Sequence, residues 1–154
     1  MPSQLVVLDT NIVLDVFVFN NPTAKTIRQA LIDGYGDGDE YGDEYGDEYG
    51  DGELTWLATD AMRAELARVL AYPKIIQRLA FYALTMDAVL SQFDQHAKLV
   101  DVAPKASLTC KDADDQKFID LAVQHRAWLI SKDRHVLSMK KRLLAQGIRA
   151  QAAI

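Results

Sequence analysis

Short apolar runs alternate along this chain with segments of helical length, and each run stops at a polar or acidic residue. Gln4 to Leu8 stops at Asp9, Leu54 to Ala58 at Thr59, and Trp128 to Ser131 is followed by Lys132-Asp133. Apolar runs this short, bounded by cap or turn residues, read as strands buried on both faces. Lys98 to Val102 and Arg149 to Ala152 are weaker strand candidates. Strands that alternate with helices form a parallel sheet covered on both faces, so the expected class is α/β. Working groups in such folds collect outside the carboxyl ends of the strands. Asp9 and Asp133 both fall there.

The helical segments follow from their caps. Asn11 to about Val18 is followed by a break at Asn20-Asn21-Pro22, and Thr23 to Asp33 reads as a second helix with Thr23 as its cap and Gly34 beyond its end. Thr59 or Asp60 caps a helix through Leu70, which Tyr72-Pro73 ends. Ile75 to Tyr82 and Thr85 to His96 are helical by period. Asp114 is the expected cap of a helix to about Gln124, and Val136 to Ala145 a short amphipathic helix.

With 154 residues, one domain spanning 1–154 is expected. No apolar run approaches the ~20 residues that cross a bilayer, and Met-Pro-Ser-Gln carries no basic leader. A cytoplasmic protein without membrane contact is therefore expected. Cys110 is the single cysteine, and His96, His125 and His135 form no ligand spacing, which argues against zinc.

The net charge of −5 conceals two regions of different character. Residues 34–53 hold nine acids and no base; the remainder has 17 basic and 13 acidic residues, or +4. That balance is compatible with a polyanionic substrate. Within the acidic stretch Glu-Tyr-Gly-Asp occurs in tandem at 40, 44 and 48. Its glycine content and uniform charge oppose helix and core strand, so a low-complexity loop insertion at about 35–52 is expected. A calcium loop fits poorly, because Tyr41 stands at a ligand position. Shielding of the basic face, or mimicry of nucleic acid, is the alternative role for the insertion.

Four acids form the candidate site: Asp9, Glu65, Asp115 and Asp133. Gathering like charges is unfavourable unless a cation or a chemical task holds them together. Oxygen-only ligands suit magnesium or manganese, and such sites serve phosphodiester hydrolysis. Each acid also has a simpler reading. Asp9 is placed to cap the next helix, Glu65 to pair with Arg68 three residues on, and Asp133 to pair with Lys132 or Arg134. Three acids, Asp112, Asp114 and Asp115, crowd one helix start, where the macrodipole favours them in any protein. Asp115 is taken as the ligand and Asp112 as the reserve. Thr10, Asn11 and Ser131 would orient ligands or water. Lys132, Arg134, Lys111 and Lys117 would neutralise phosphates.

In order and spacing, Val-Val-Leu-Asp-Thr-Asn, Ala-Glu-Leu-Ala-Arg-Val-Leu with Tyr-Pro-Lys-Ile, Asp-Ala-Asp-Asp-Gln-Lys-Phe-Ile-Asp-Leu-Ala and Leu-Ile-Ser-Lys-Asp resemble the PIN domain family, which includes the toxins of VapC-like pairs. The resemblance covers nearly all of the chain outside 35–52. It implies a three-layer α/β/α sandwich with a central, mainly parallel sheet and an acidic site at Asp9, Glu65, Asp115 and Asp133. It further implies one or two Mg2+ or Mn2+ ions, single-stranded RNA as substrate, an antitoxin partner and a homodimer.

Three other chemistries compete. Haloacid-dehalogenase-type phosphotransfer needs a second Asp at position 11, where Asn11 stands. A receiver-type phosphoacceptor needs paired acids near the first strand, where Asp9 is alone. A binding module of the same fold, gripping RNA or an antitoxin with little turnover, is the principal alternative to a nuclease.

Overall fold

A computed structural model describes residues 4–33 and 54–154. The Glu-Tyr-Gly-Asp repeats, the insertion at about 35–52 and Gly34 lie outside the described residues. Within the described residues five strands form one parallel sheet: β1 (Gln4–Leu8), β2 (Leu54–Ala58), β3 (Ala97–Leu99), β4 (Trp128–Ile130) and β5 (Ala150–Gln151). Their spatial order is β3-β2-β1-β4-β5. Among the described residues eight α-helical segments accompany them: α1 (Thr10–Phe17), α2 (Lys25–Arg28), α3 (Asp60–Leu70), α4 (Pro73–Phe81), α5 (Met86–His96), α6 (Gln116–His125), α7 (Arg134–Leu137) and α8 (Lys140–Ala145). The architecture is the expected three-layer α/β/α fold. Among the described residues no helix is long and apolar enough to cross a membrane.

The order of the strands decides where a site can form. The chain leaves the central strand β1, builds outward through β2 and β3, then returns to place β4 on the other side of β1. That reversal opens a crevice at the carboxyl ends of β1 and β4. Val6 and Val7 on β1 point to opposite faces and both are fully buried, as a sheet covered on two sides requires. Trp56 of β2 ties the layers together. It meets Phe93 of α5 edge-on at 4.9 Å and stacks on Phe17 of α1 at 5.9 Å. Such aromatic pairs contribute about 0.5–1.5 kcal/mol beyond their buried area.

Several local expectations are corrected. Asn21, not Thr23, caps the second helical stretch: its side-chain oxygen accepts from the Thr23 amide at 3.0 Å and from Thr23 Oγ1 at 2.9 Å. Pro22 then fills the first turn, the arrangement Asn and Pro favour. The stretch itself divides into a 3-10 turn at Pro22–Ala24, α2, and a π-helical segment at Gln29–Asp33. Asp112 replaces Asp114 as cap, accepting from the Asp114 amide at 2.9 Å, because a 3-10 turn at Ala113–Asp115 starts the helix early. The helix expected at Val136 to Ala145 begins at Arg134 and breaks at Ser138-Met139, where Ser138 Oγ donates back to the His135 carbonyl at 2.9 Å. β3 covers Ala97–Leu99 in place of Lys98 to Val102.

Candidate metal centre

Asp9 follows the last residue of β1, and its amide donates to the Ile130 carbonyl of β4 at 3.0 Å. It occupies the cap position of α1 without a side-chain cap hydrogen bond. Its carboxylate is instead held by Ser131, whose Oγ donates to Asp9 Oδ2 at 2.6 Å. Ser131 is fully buried just past β4 and accepts from the Asp133 amide at 3.0 Å. One hydroxyl thus joins two acids that are distant in sequence. Burial raises the pKa of Asp9, opposed by the hydrogen bonds from Ser131 and the Thr10 backbone and reinforced by the nearby Asp133 and Glu65 charges.

Glu65 lies in the second turn of α3, a helix capped by Thr59. Its partner is not Arg68. Thr10 Oγ1 donates to Glu65 Oε2, and Lys117 Nζ from α6 donates to Glu65 Oε1 at 2.6 Å. The same ammonium donates to the Asp114 carbonyl at 2.5 Å. A phosphate-neutralising role for Lys117 therefore competes with a contact it already makes.

Asp115 is poorly satisfied. It is 8% exposed, holds the cap position of α6 without a cap hydrogen bond, and leaves Oδ2 buried with no hydrogen-bond partner. Its pKa is raised to about 7, first by burial and then by the charges of Asp9, Asp133, Asp112 and Glu65. Four acids therefore act on the fifth. Within this group one oxygen each from Asp112, Asp115 and Asp133 lie within 4.8 Å of one another. The reserve ligand Asp112 thus joins the tightest triad, while Asp9 and Glu65 border it.

Exposed acidic clusters are common without an ion, but an orphaned carboxylate oxygen inside one is not stable on its own terms. A divalent cation would satisfy Asp115 Oδ2 and offset the mutual repulsion. The all-oxygen donor set suits a hard cation such as Mg2+ or Mn2+. The residues fit the group.

The remaining expected residues divide. Asp133 caps α7, Oδ1 accepting from the His135 amide at 2.7 Å, rather than pairing with a neighbouring base. Asn11 is exposed on α1. Lys132 turns toward α1, where its Nζ lies 2.5 Å from Oδ2 of Asp15. Asp15 is buried, and sequence reasoning gave it no role. Its only signal was a lone carboxylate inside the apolar run Ile12 to Val18. A hollow of about 560 Å³ lined by Val123, Arg126, Ala145, Gln146 and Gly147 contains none of the acids.

A family model for the PIN domain matches residues 5–135. The chain belongs to the PIN domain family. The crystal structure of VapBC2 from Rickettsia felis bound to a DNA fragment from their promoter is similar in fold, with a TM-score of 0.53 and 14% identity, covering 96% of this chain and 98% of that one. A comparison with curated proteins finds no match. The match of the PIN model ends at His135, two residues after Asp133, so it spans all five acids described above.

Proposed function

We propose that this PIN domain is an Mg2+- or Mn2+-dependent endoribonuclease that cleaves single-stranded RNA, the toxin of a toxin–antitoxin pair. One observation carries the reading: a buried, partnerless oxygen of Asp115 inside a group of five carboxylates. Asp112, Asp115 and Asp133 would hold the ion, with Asp9 and Glu65 at its border. When bound, a divalent ion supplies charge stabilisation for in-line displacement at phosphorus and eases the ionisation of water.

The chain's own residues do the rest. Ser131 fixes the Asp9 carboxylate and the Asp133 backbone together. Thr10 and Lys117 hold both oxygens of Glu65, so its carboxylate meets the site in one orientation. Lys111 and Arg134, beside Asp112 and Asp133 in the chain, are exposed and available to flanking phosphates. An antitoxin and a second copy of the chain are the protein partners of this reading; the two-component VapBC2 structure supports the first.

The test is cleavage of a single-stranded RNA in Mn2+ by the wild-type protein and by Asp9→Asn. Loss of at least about a hundredfold in rate with an unchanged fold is expected, in line with the removal of a group acting in the transition state. Retained cleavage in the variant, with contaminating nucleases excluded, removes Asp9 from the mechanism. RNA binding without cleavage by the wild type favours the binding-module reading.

A further inference from the structure

Asp15 belongs to no part of the site described so far. It lies on α1 among Ile12, Val13, Leu14 and Val16, all buried, and is itself 3% exposed. It is not among the charges that act on Asp9 or Asp115. A carboxylate so deep is strongly unfavourable unless a countercharge accompanies it. Lys132 provides one, its Nζ at 2.5 Å from Asp15 Oδ2, as an ion pair without hydrogen-bond alignment. The side chain of Lys132 is otherwise 41% exposed.

The position of Lys132 makes this pairing consequential. It stands between Ser131, which holds Asp9, and Asp133, which belongs to the carboxylate triad. A lysine carries a compact charge on a flexible four-carbon stem. Left free beside five acids, its ammonium would settle among them and take the place of a cation. Lys117 shows the tendency, since its ammonium already rests on Glu65.

We infer that Asp15 is a positioning residue that holds the Lys132 ammonium away from the Asp112–Asp115–Asp133 triad and so keeps the triad open to a divalent ion. The inference rests on the metal-centre reading above. It separates two roles that a single ion pair usually merges. A brace for the loop would need both partners, whereas a restraint on a competing charge needs Asp15 only while Lys132 is present.

Mn2+ affinity of the RNA-free protein, measured by calorimetry and by the loss of the free-ion paramagnetic resonance signal, tests it on four proteins. Asp15→Asn is expected to bind Mn2+ about tenfold more weakly than wild type. Lys132→Met is expected to bind at or above the wild-type affinity, and the double variant Asp15→Asn/Lys132→Met to recover it. The double variant removes both charges together, so it leaves no buried unpaired ion and stands as the folded comparison if Lys132→Met, which strands the buried Asp15 carboxylate, is unstable. Equal affinity in wild type and Asp15→Asn would overturn the inference alone. A fall in Lys132→Met or in the double variant would overturn it in favour of a brace. Absence of Mn2+ binding to the wild type would overturn the metal-centre reading beneath it.

Discussion

Two residues of α3, each with a partner of opposite charge, face different surroundings. Arg63 grips Asp94 of α5 through two hydrogen bonds, at 2.7 and 2.8 Å, on the open surface. Glu65, two residues on and so turned to another face of the helix, meets a group in which four more carboxylates act on one another. At the first place each charge is balanced locally, and Asp94 is held below the usual carboxyl range by the Arg63 guanidinium. At the second, Asp115 is driven up to about 7 by burial and by its acidic neighbours. A protein able to build the first arrangement has the means to neutralise the second. Leaving it in excess is what a binding site for a cation requires.

The largest expected effect lies at Asp115. Its folded-state pKa of about 7 exceeds the ordinary carboxyl value of 3.8, so between these values the folded protein binds more protons than the unfolded chain. Stability without metal therefore falls as pH rises from about 4 to about 7, and the penalty persists above. Asp115→Asn removes that penalty and is expected to stabilise the metal-free protein by roughly 2 kcal/mol at pH 8, with little gain at pH 4. Mn2+ should stabilise the wild type and lose most of that effect in the variant. Denaturant unfolding in chelator and in Mn2+ checks both; an equal gain at both pH values would show that Asp115 is not a suppressed charge.

Asp94→Ala sharpens the contrast from the other side. Removing an exposed partner is expected to change stability by less than about 1 kcal/mol, with Mn2+ affinity unmoved. The same unfolding and binding measurements check it, and a marked loss of Mn2+ binding would join the two faces of α3 into one network.

The unequal legibility of these features has a physical basis. β1 and Asp9 were readable because a parallel strand buried on both faces is a continuous apolar run, and its end is marked by the first polar residue. Caps were readable only to within two residues: Asn21 and Thr23, or Asp112 and Asp114, can each serve, and the local turn chooses between them. Ser131 and Thr10 were readable as residues that orient the acids, and they hold Asp9 and Glu65, but the ion-pair partners were not. Lys117 reaches Glu65 across 52 positions and Lys132 reaches Asp15 across the sheet's crevice, so nearby Arg68 and Asp133 looked better in one dimension. The tightest carboxylate triad includes Asp112 because the 3-10 turn at Ala113–Asp115 brings it beside Asp115.

The most direct trial of the metal centre is to soak Mn2+ into crystals of the full chain and locate it by anomalous scattering. Density within coordination distance of Asp115 Oδ2, shared with Asp112 and Asp133 and bordered by Asp9, is the expected result. Manganese bound elsewhere, with Asp115 Oδ2 still lacking a partner, would contradict a metal-dependent nuclease at this site.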